Sequence, residues 1–176
     1  MSLTLREFRP EDFETLWSID QQCFAPGIAY SRQELMAYIQ LRGAFTLVAE
    51  KKTEKQVAVK KTSDGNHVLG YLVAHANLRG VGHIITIDVR PAARRQKTGS
   101  HLLAAAEERL RKLSCRTVTL ETAVDNLSAL AFYKRHRYSV VKTMPRYYSN
   151  GVDALVLEKV LRPGPQKDLH SPTHAG

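Results

Sequence analysis

The chain has 176 residues, of which 43% are hydrophobic and 24% are charged. This length suits one domain with a single core, and the composition is that of a globular protein rather than a disordered or membrane protein. The formal net charge of +9 favours polyanionic partners such as phosphorylated cofactors or nucleic acid. No apolar run approaches the roughly 20 residues of a membrane helix, and the opening residues lack the apolar core of a signal peptide, so we expect a cytoplasmic protein without a membrane partner.

The N-terminal part of the chain predicts one strand and two helices. Residues 3–8 alternate like a strand, and apolar side chains follow near helical spacing over 11–24. Ser31 and Glu34 have the spacing of a capping box, which predicts a second helix over 32–42.

Three further strands are predicted in the middle of the chain. The first covers 45–50, and the other two cover 68–76 and 83–89, where β-branched and aromatic residues are frequent. A short glycine-containing connection between the last two predicts an antiparallel pair. The basic segment Lys51–His67 contains the turn signal "SDGN" and predicts an irregular excursion or an extended hairpin.

The C-terminal part alternates between helices and strands. The pattern predicts a helix over 99–113, a strand over 117–121, a helix over 126–136 and two strands over 138–141 and 151–160. The predicted order of elements is βααβββαβαββ.

The end of the chain differs in composition from the rest. Residues 162–176 carry proline, glycine and polar residues with almost nothing to bury, which is typical of a mobile tail. We therefore expect one catalytic or binding domain over 1–161, followed by this tail.

The stretch "VRPAARRQKTGSHLL", which starts at Val89, is the first candidate site. A strand end, a proline, several cations and a glycine precede the start of a helix. Backbone N–H groups and positive charge at a helix start favour an anion, most often a phosphate. A solvated surface turn is the structural alternative for this stretch.

The two cysteines do not predict a metal site or a disulfide framework. Cys23 and Cys115 lie far apart in the sequence and have no Cys-x-x-Cys or Cys/His spacing. We therefore predict no metal and assign neither thiol a catalytic role.

Together with "LETAVDNLSALAFYKRHRY", the stretch from Val89 resembles two motifs of the GNAT superfamily of acyl-CoA N-acyltransferases. The resemblance extends over about Leu3–Val160. It implies an α/β fold with a mixed, mostly antiparallel sheet that is splayed at its centre and carries helices on both faces. Lys97 stands where the family usually has its first glycine, and Arg137 replaces a second family glycine.

The resemblance implies acetyl-CoA as cosubstrate and a set of residues that hold it. In the family, the helix-start motif binds the diphosphate, the strand before it binds the pantetheine arm, and the asparagine of the second motif lies along that arm. The corresponding residues here are Ile87, Val89, Arg94, Arg95, Gln96, Lys97, Thr98, Gly99, Ser100 and Asn126. Asn126 has a structural alternative as a helix cap.

The second motif is most similar to the branch that acetylates protein N-termini, including the ribosomal-protein-alanine N-acetyltransferases. This similarity implies Glu121 as general base and Tyr133 as general acid. An α-amine with a pKa near 8 is mostly protonated at neutral pH, so a carboxylate must take a proton before attack. Phe24, Tyr30 and Tyr147 are the implied acceptor-binding residues.

The acceptor predicted from these observations is a primary amine, preferably a protein N-terminus such as that of a ribosomal protein. Two alternatives stay open. One is a small-molecule amine acceptor, although the positive charge of the chain disfavours polycations. The other is a basic RNA- or ribosome-binding module that keeps the fold without catalysis, because Lys97 and Arg137 replace family glycines. The sequence is compatible with a monomer or a homodimer.

Overall fold

The structure, a computed structural model, describes residues 3–51 and 67–161. Within these ranges the predicted order βααβββαβαββ is confirmed. The strands are β1 (Leu3–Glu7), β2 (Ala44–Lys51), β3 (Val68–Ala76), β4 (Val81–Val89), β5 (Thr117–Ala123), β6 (Ser139–Met144) and β7 (Ala154–Val160). The helices are α1 (Phe13–Cys23), α2 (Arg32–Ile39), α3 (Thr98–Lys112) and α4 (Leu127–Arg135). The predicted excursion between Lys51 and His67 and the predicted tail over 162–176 lie outside the described residues.

The described strands form one sheet in the order β1-β2-β3-β4-β5-β7-β6. All neighbours are antiparallel except β4 and β5, which α3 connects in parallel. The pairing of β4 with β5 covers only Val81–His83 opposite Thr117–Thr119, although both strands continue beyond it. The mixed, mostly antiparallel sheet is therefore splayed at its centre, as the resemblance implies.

Helices cover both faces of this sheet, which confirms the predicted layering. On one face, α3 contributes Leu102, Leu103 and Leu110 to a buried cluster with strand residues. On the opposite face, α1 and α2 bury Leu16 and Leu35 against the sheet. Burying side chains of this size stabilises the fold by about 1.5–3 kcal/mol each.

The predicted capping box at the start of α2 is present. Ser31 Oγ accepts a hydrogen bond from Glu34 N at 3.2 Å, and Glu34 Oε2 accepts one from Ser31 N at 2.8 Å. The helix ends at Ile39, three residues before the predicted end. The chain turns there because Ala44 N donates to Leu41 O and Gly43 adopts a φ of +85°. Leu41 therefore lies in a turn and not in the helix, although its apolar side chain fits the helical pattern.

The two residues that stand in place of family glycines both have a left-handed backbone conformation. Lys97 has a φ of 64° and Arg137 a φ of 67°. An L-amino acid other than glycine costs about 1–2 kcal/mol in this conformation, so both turns keep the backbone of a glycine at that cost. Both residues therefore adopt a backbone conformation that glycine adopts without this cost.

Arg137→Gly is expected to stabilise the protein by about 1 kcal/mol, because it relieves this strain by more than glycine gains in freedom in the unfolded chain. Arg137 is exposed, so little packing is lost. Urea unfolding measures the change. Lys134→Gly, in the last turns of α4, is the control and should destabilise by a similar amount. A urea midpoint for Arg137→Gly below that of the wild-type chain would show that the backbone at Arg137 is not strained.

Candidate active site

The gap between β4 and β5 opens into a cavity of about 830 Å³. Beyond His83, β5 no longer pairs with β4, so the backbone groups on that edge of β4 face the cavity instead of a strand. Such groups need other partners, since an unpaired buried backbone group is costly. The cavity is thus lined along β4 by backbone groups that β5 does not pair, and the carbonyls of Ile85 and Val89 accept from side chains instead.

A β-bulge directs the side chains of β4 around this cavity. Ala74 pairs with Ile84 and Val73 with Thr86, which leaves Ile85 as the extra residue. Because a bulge shifts the alternation by one residue, Ile84 and Ile87 both pack on the α3 side, whereas Ile85 packs on the α1 side. The bulge also bends the strand, and it lies where β4 and β5 separate.

One end of the cavity meets the start of α3. The N–H groups of Thr98, Gly99 and Ser100 precede the first intrahelical bond, which His101 N makes to Lys97 O. Arg95 and Lys97 are exposed on the preceding turn, and Arg94 Nε donates to Val89 O at 3.2 Å. Free N–H groups, the helix dipole and these cations suit a diphosphate.

Gly99 leaves room at this helix start. A Cβ on Gly99 would come no closer than 3.5 Å to the Phe132 ring and 3.7 Å to Val89, which is ordinary van der Waals contact. The packing of the protein itself therefore does not require glycine here. The space is available to a ligand, so the residues at this end fit the diphosphate of a coenzyme A.

The structure brings nearly all of the predicted site residues to the cavity. The members on its lining are Phe24, Tyr30, Ile87, Val89, Arg94, Arg95, Lys97, Thr98, Gly99, Ser100, Glu121, Asn126, Tyr133 and Tyr147. Gln96 is the exception, because its side chain donates to Ala92 O at 3.0 Å within the turn. Asn126 Oδ1 accepts a hydrogen bond from Ala129 N at 3.1 Å, so the side chain is the helix cap that was the alternative prediction. The same residue also lines the cavity.

Glu121 lies on β5 just beyond the point where the strands separate. Its Oε2 accepts a hydrogen bond from His83 Nε2 on β4 at 2.6 Å. Both side chains retain solvent access, with 21% of Glu121 and 37% of His83 exposed. A carboxylate that an imidazole holds in place and that solvent reaches is equipped to exchange protons with a bound amine.

Tyr133 lies on α4 and is buried, with 6% exposed. Burial in the first place, and the nearby Asp88 carboxyl in the second, raise the pKa of its phenol. Its ring contacts the rings of Phe132 and Tyr138 at centroid distances of 5.2 Å and 5.5 Å. The phenol therefore keeps its proton at all ordinary pH values and is held in one place, as a hydrogen-bond donor must be.

Two segments meet over the acceptor end of the cavity. Ser149 Oγ, between β6 and β7, donates to Gly27 O, between α1 and α2, at 2.8 Å. Tyr30 Oη donates to the carbonyl of the bulge residue Ile85 at 3.3 Å. Tyr147 extends the aromatic lining on the other segment. The two segments thus form a roof over this end of the cavity.

Two buried carboxyls lie behind this end of the cavity. Asp20 Oδ2 accepts from Tyr30 N at 2.9 Å, and Asp88 Oδ1 accepts from Thr86 Oγ1 at 2.9 Å. Burial raises the pKa of Asp20 to about 6 and, together with the charge of Asp20, raises that of Asp88 to about 7. Asp20 thus holds the segment between α1 and α2 through Tyr30. Asp88 lies on β4 between Ile87 and Val89, which line the cavity.

The raised pKa of Asp88 predicts that the contribution of this group to stability falls between about pH 4 and pH 7. The pKa of the carboxyl is near 4 in the unfolded chain and about 7 in the folded protein, so its contribution to the free energy of unfolding is fully present below pH 4 and is lost as pH rises to about 7. Asp88→Asn should therefore stabilise the protein by roughly 2–4 kcal/mol at pH 8, and this gain should shrink towards pH 5. Urea unfolding at both pH values measures it. Glu108→Gln, an exposed carboxyl, should show no such trend.

Several residues of the cavity lie outside the motifs that predict the site. His83 is the most important, and Tyr38, Phe132, Arg135 and Tyr148 also line it. Arg135 adds a cation near the anion end, and Tyr38 contacts Tyr30 at a centroid distance of 5.1 Å. The position of His83 at the start of an apolar strand was a usable signal, because a titratable side chain in such a strand needs a partner.

A diphosphate, a long amide-containing arm and a thioester need a narrow cleft that begins at a cationic helix start and ends beside a proton acceptor. A cavity with a cationic helix start at one end and the carboxylate of Glu121 at the other fits an acyltransferase that takes its acyl group from a coenzyme A thioester. The acetyltransferase (GNAT) family model matches residues 5–138, and the chain belongs to this family. It is accordingly an acetyl-CoA-dependent N-acetyltransferase.

Curated relatives agree with this class. The chain is 27% identical over 158 residues to an uncharacterized N-acetyltransferase of Methanocaldococcus jannaschii, covering 89% of this chain and 91% of the relative. It is 37% identical over 76 residues to N-alpha-acetyltransferase 30 of Dictyostelium discoideum, covering 43% of this chain and 41% of that protein. The chain thus matches less than half of the Dictyostelium protein.

A solved structure shows the same fold. The ribosomal-protein-S18-alanine N-acetyltransferase of Escherichia coli superposes with a TM-score of 0.76 at 18% identity, over 94% of this chain and 98% of that one. In residues 3–51 and 67–161, no helix has the length and apolar character needed to cross a membrane.

Proposed function

We propose that this N-acetyltransferase transfers the acetyl group to the N-terminal α-amine of a protein. The observation that carries the proposal is the pair of Glu121 and His83, 2.6 Å apart where the sheet opens, beneath the roof formed by the contact of Ser149 with Gly27. A roofed cavity end that contains the solvent-accessible carboxylate of Glu121 suits the end of an extended chain. The similarity to N-alpha-acetyltransferase 30 supports this acceptor.

The cofactor residues follow from the charges and free donors of the cavity. The N–H groups at the start of α3, with Arg95 and Lys97, bind the diphosphate, and the unpaired edge of β4 binds the amide-containing arm. When bound, acetyl-CoA supplies an activated acetyl thioester. Tyr133 is buried on α4, and its hydroxyl donates a hydrogen bond to the departing sulfur.

Glu121 acts as the proton acceptor. An α-amine with a pKa near 8 is mostly an ammonium at neutral pH, and only the free amine is a nucleophile. Glu121 takes the proton directly or through a water, while the hydrogen bond from His83 to Oε2 leaves Oε1 for the incoming ammonium. No acyl-enzyme is needed, so Cys23 and Cys115 have no part in the reaction.

The charge of the acceptor end favours a single amine over a polyamine or an aminoglycoside. Among the described residues, Glu121 and Asp125 are the acidic members of the cavity lining, and the basic members Arg94, Arg95, Lys97 and Arg135 lie towards its anion end. A substrate with several cations needs several carboxylates to replace its hydration. Ribosomal proteins are proposed as one source of acceptors, and the net charge of +9 and the fold of the S18-alanine enzyme support this.

The proposal is tested by acetyl-CoA consumption, measured as thiol release, with short peptides that begin with Ala, Ser, Met or Gly. Each peptide has a twin with a blocked N-terminus, and lysine and a polyamine complete the set. We expect turnover with at least one free peptide and none with its blocked twin. Turnover only at the side-chain amine of lysine, or only with the polyamine, would overturn the α-amine acceptor.

A further inference from the structure

A hydrogen bond links the anion end of the cavity to a histidine outside it. Ser100 Oγ, in the first turn of α3, lies 3.0 Å from His136 Nε2, at the end of α4. Ser100 lines the cavity. The His136 ring also contacts the Phe132 ring at a centroid distance of 4.6 Å, which fixes its position. Any change of protonation at His136 is therefore transmitted to a hydroxyl at the helix start.

The hydroxyl of Ser100 has one proton, and that proton has two possible acceptors. If Nε2 of His136 is unprotonated, Ser100 donates to it and presents only lone pairs to an anion. If Nε2 carries a proton, His136 donates to Ser100 Oγ, and the hydroxyl proton is free to bind a phosphate oxygen. Only the second arrangement suits a diphosphate at this helix start.

The charged groups around His136 come from three elements. Glu107 on α3 favours the imidazolium, whereas Lys159 on β7 and Arg135 on α4 oppose it. Burial is the largest influence and lowers the pKa of His136, so the ring is neutral in the free protein at pH 7. Two negative charges next to Ser100 would shift this balance towards the imidazolium.

We infer that His136 takes up a proton when the diphosphate of a coenzyme A binds at Ser100, which makes it a positioning residue that controls cofactor affinity through the Ser100 hydroxyl. This inference rests on the cofactor site of the proposed function. The proton comes from solvent and is bound at Nε2. Cofactor affinity then depends on pH even where no phosphate of the ligand titrates.

The direction of this dependence follows from the two states. The pKa of His136 is lower in the free protein than in the complex, so affinity is highest at low pH and decreases as pH rises between the two values. If binding raises the pKa by about one unit, affinity changes by about tenfold in total. Above the pKa of the complex, affinity no longer depends on pH.

The test is calorimetry with dephospho-CoA at pH 7 in buffers of different ionisation enthalpy, which counts the protons taken up. Dephospho-CoA has no terminal phosphomonoester, a group whose second pKa near 6 would add its own proton uptake. We expect a clear fraction of one proton for the wild-type chain and tighter binding at pH 6 than at pH 8. His136→Gln can still donate to Ser100 but does not titrate, so it should bind with no proton uptake and no pH dependence.

His101→Gln is the matched control, since His101 is an exposed histidine adjacent to Ser100. It should keep the proton uptake of the wild type. Binding without proton uptake in the wild type, with a change of tautomer at His136 in ¹⁵N NMR, would overturn the inference and leave the cofactor site intact. No binding of dephospho-CoA would overturn the cofactor site and the inference together.

Discussion

Glu121→Gln is expected to lower turnover by about 100-fold or more, while coenzyme A affinity stays within about twofold of the wild type. Glutamine keeps the size of the side chain and the hydrogen bond from His83, but it cannot accept a proton from an ammonium. The loss should appear in kcat and in kcat/KM with the best peptide acceptor, measured by thiol release. Calorimetry supplies the coenzyme A affinity.

Two controls separate chemistry from folding in this experiment. Glu108→Gln removes an exposed carboxylate on α3 and should leave turnover unchanged. His83→Gln removes the imidazole that holds Glu121, so it should reduce turnover by less than Glu121→Gln does. A Glu121→Gln enzyme with wild-type turnover would rule out Glu121 as the base. A loss of coenzyme A binding would instead assign it a role in the cofactor site.

Tyr133→Phe is expected to reduce kcat by about 100-fold with little change in the KM of the acceptor. The phenol is buried and its pKa is raised, mainly by burial, so it lies above that of a thiol, near 8.5. In the proposed mechanism, Tyr133 therefore stabilises the departing sulfur by donating a hydrogen bond and keeps its proton, instead of transferring it as the general acid that the resemblance implies. The ratio of wild-type to variant kcat should be the same from pH 6 to pH 9.

Tyr138→Phe is the matched control for Tyr133. The ring of Tyr138 contacts that of Tyr133, but its hydroxyl donates to Glu107 at 3.1 Å, away from the reacting groups. Its loss should destabilise the protein by about 1 kcal/mol and leave kcat near the wild-type value. A Tyr133→Phe effect no larger than that of Tyr138→Phe would contradict a role for the phenol in the reaction.

Local patterns were sufficient for much of the fold. The capping box of Ser31 and Glu34, the apolar face of α3 and the turns between β-branched runs each act within a few residues, so they are legible in the sequence. The strand and helix that carry Glu121 and Tyr133 were predicted for the same reason. Family resemblance then supplied the splayed sheet, which no local pattern indicates.

Other features depend on contacts between distant residues and could not be predicted. The bulge at Ile85 moves the side chains of the later β4 residues to the opposite face of the sheet. It is visible only in the pairing of β4 with β3. The hydrogen bond between His83 and Glu121 joins strands 38 residues apart, and that between Ser100 and His136 joins two helices. Gln96 was placed at the anion site by its position in a motif, but its side chain bonds the backbone of its own turn.

The most direct test of α-amine acetylation uses one peptide that carries both a free N-terminus and an internal lysine. The peptide is incubated with acetyl-CoA and either the wild-type chain or Glu121→Gln, and fragment mass spectrometry locates the acetyl group. We predict that the wild-type chain places it on the α-amine and that the variant leaves the peptide almost unmodified. Acetylation of the lysine side chain, or an unmodified peptide despite bound coenzyme A, would contradict the proposed function.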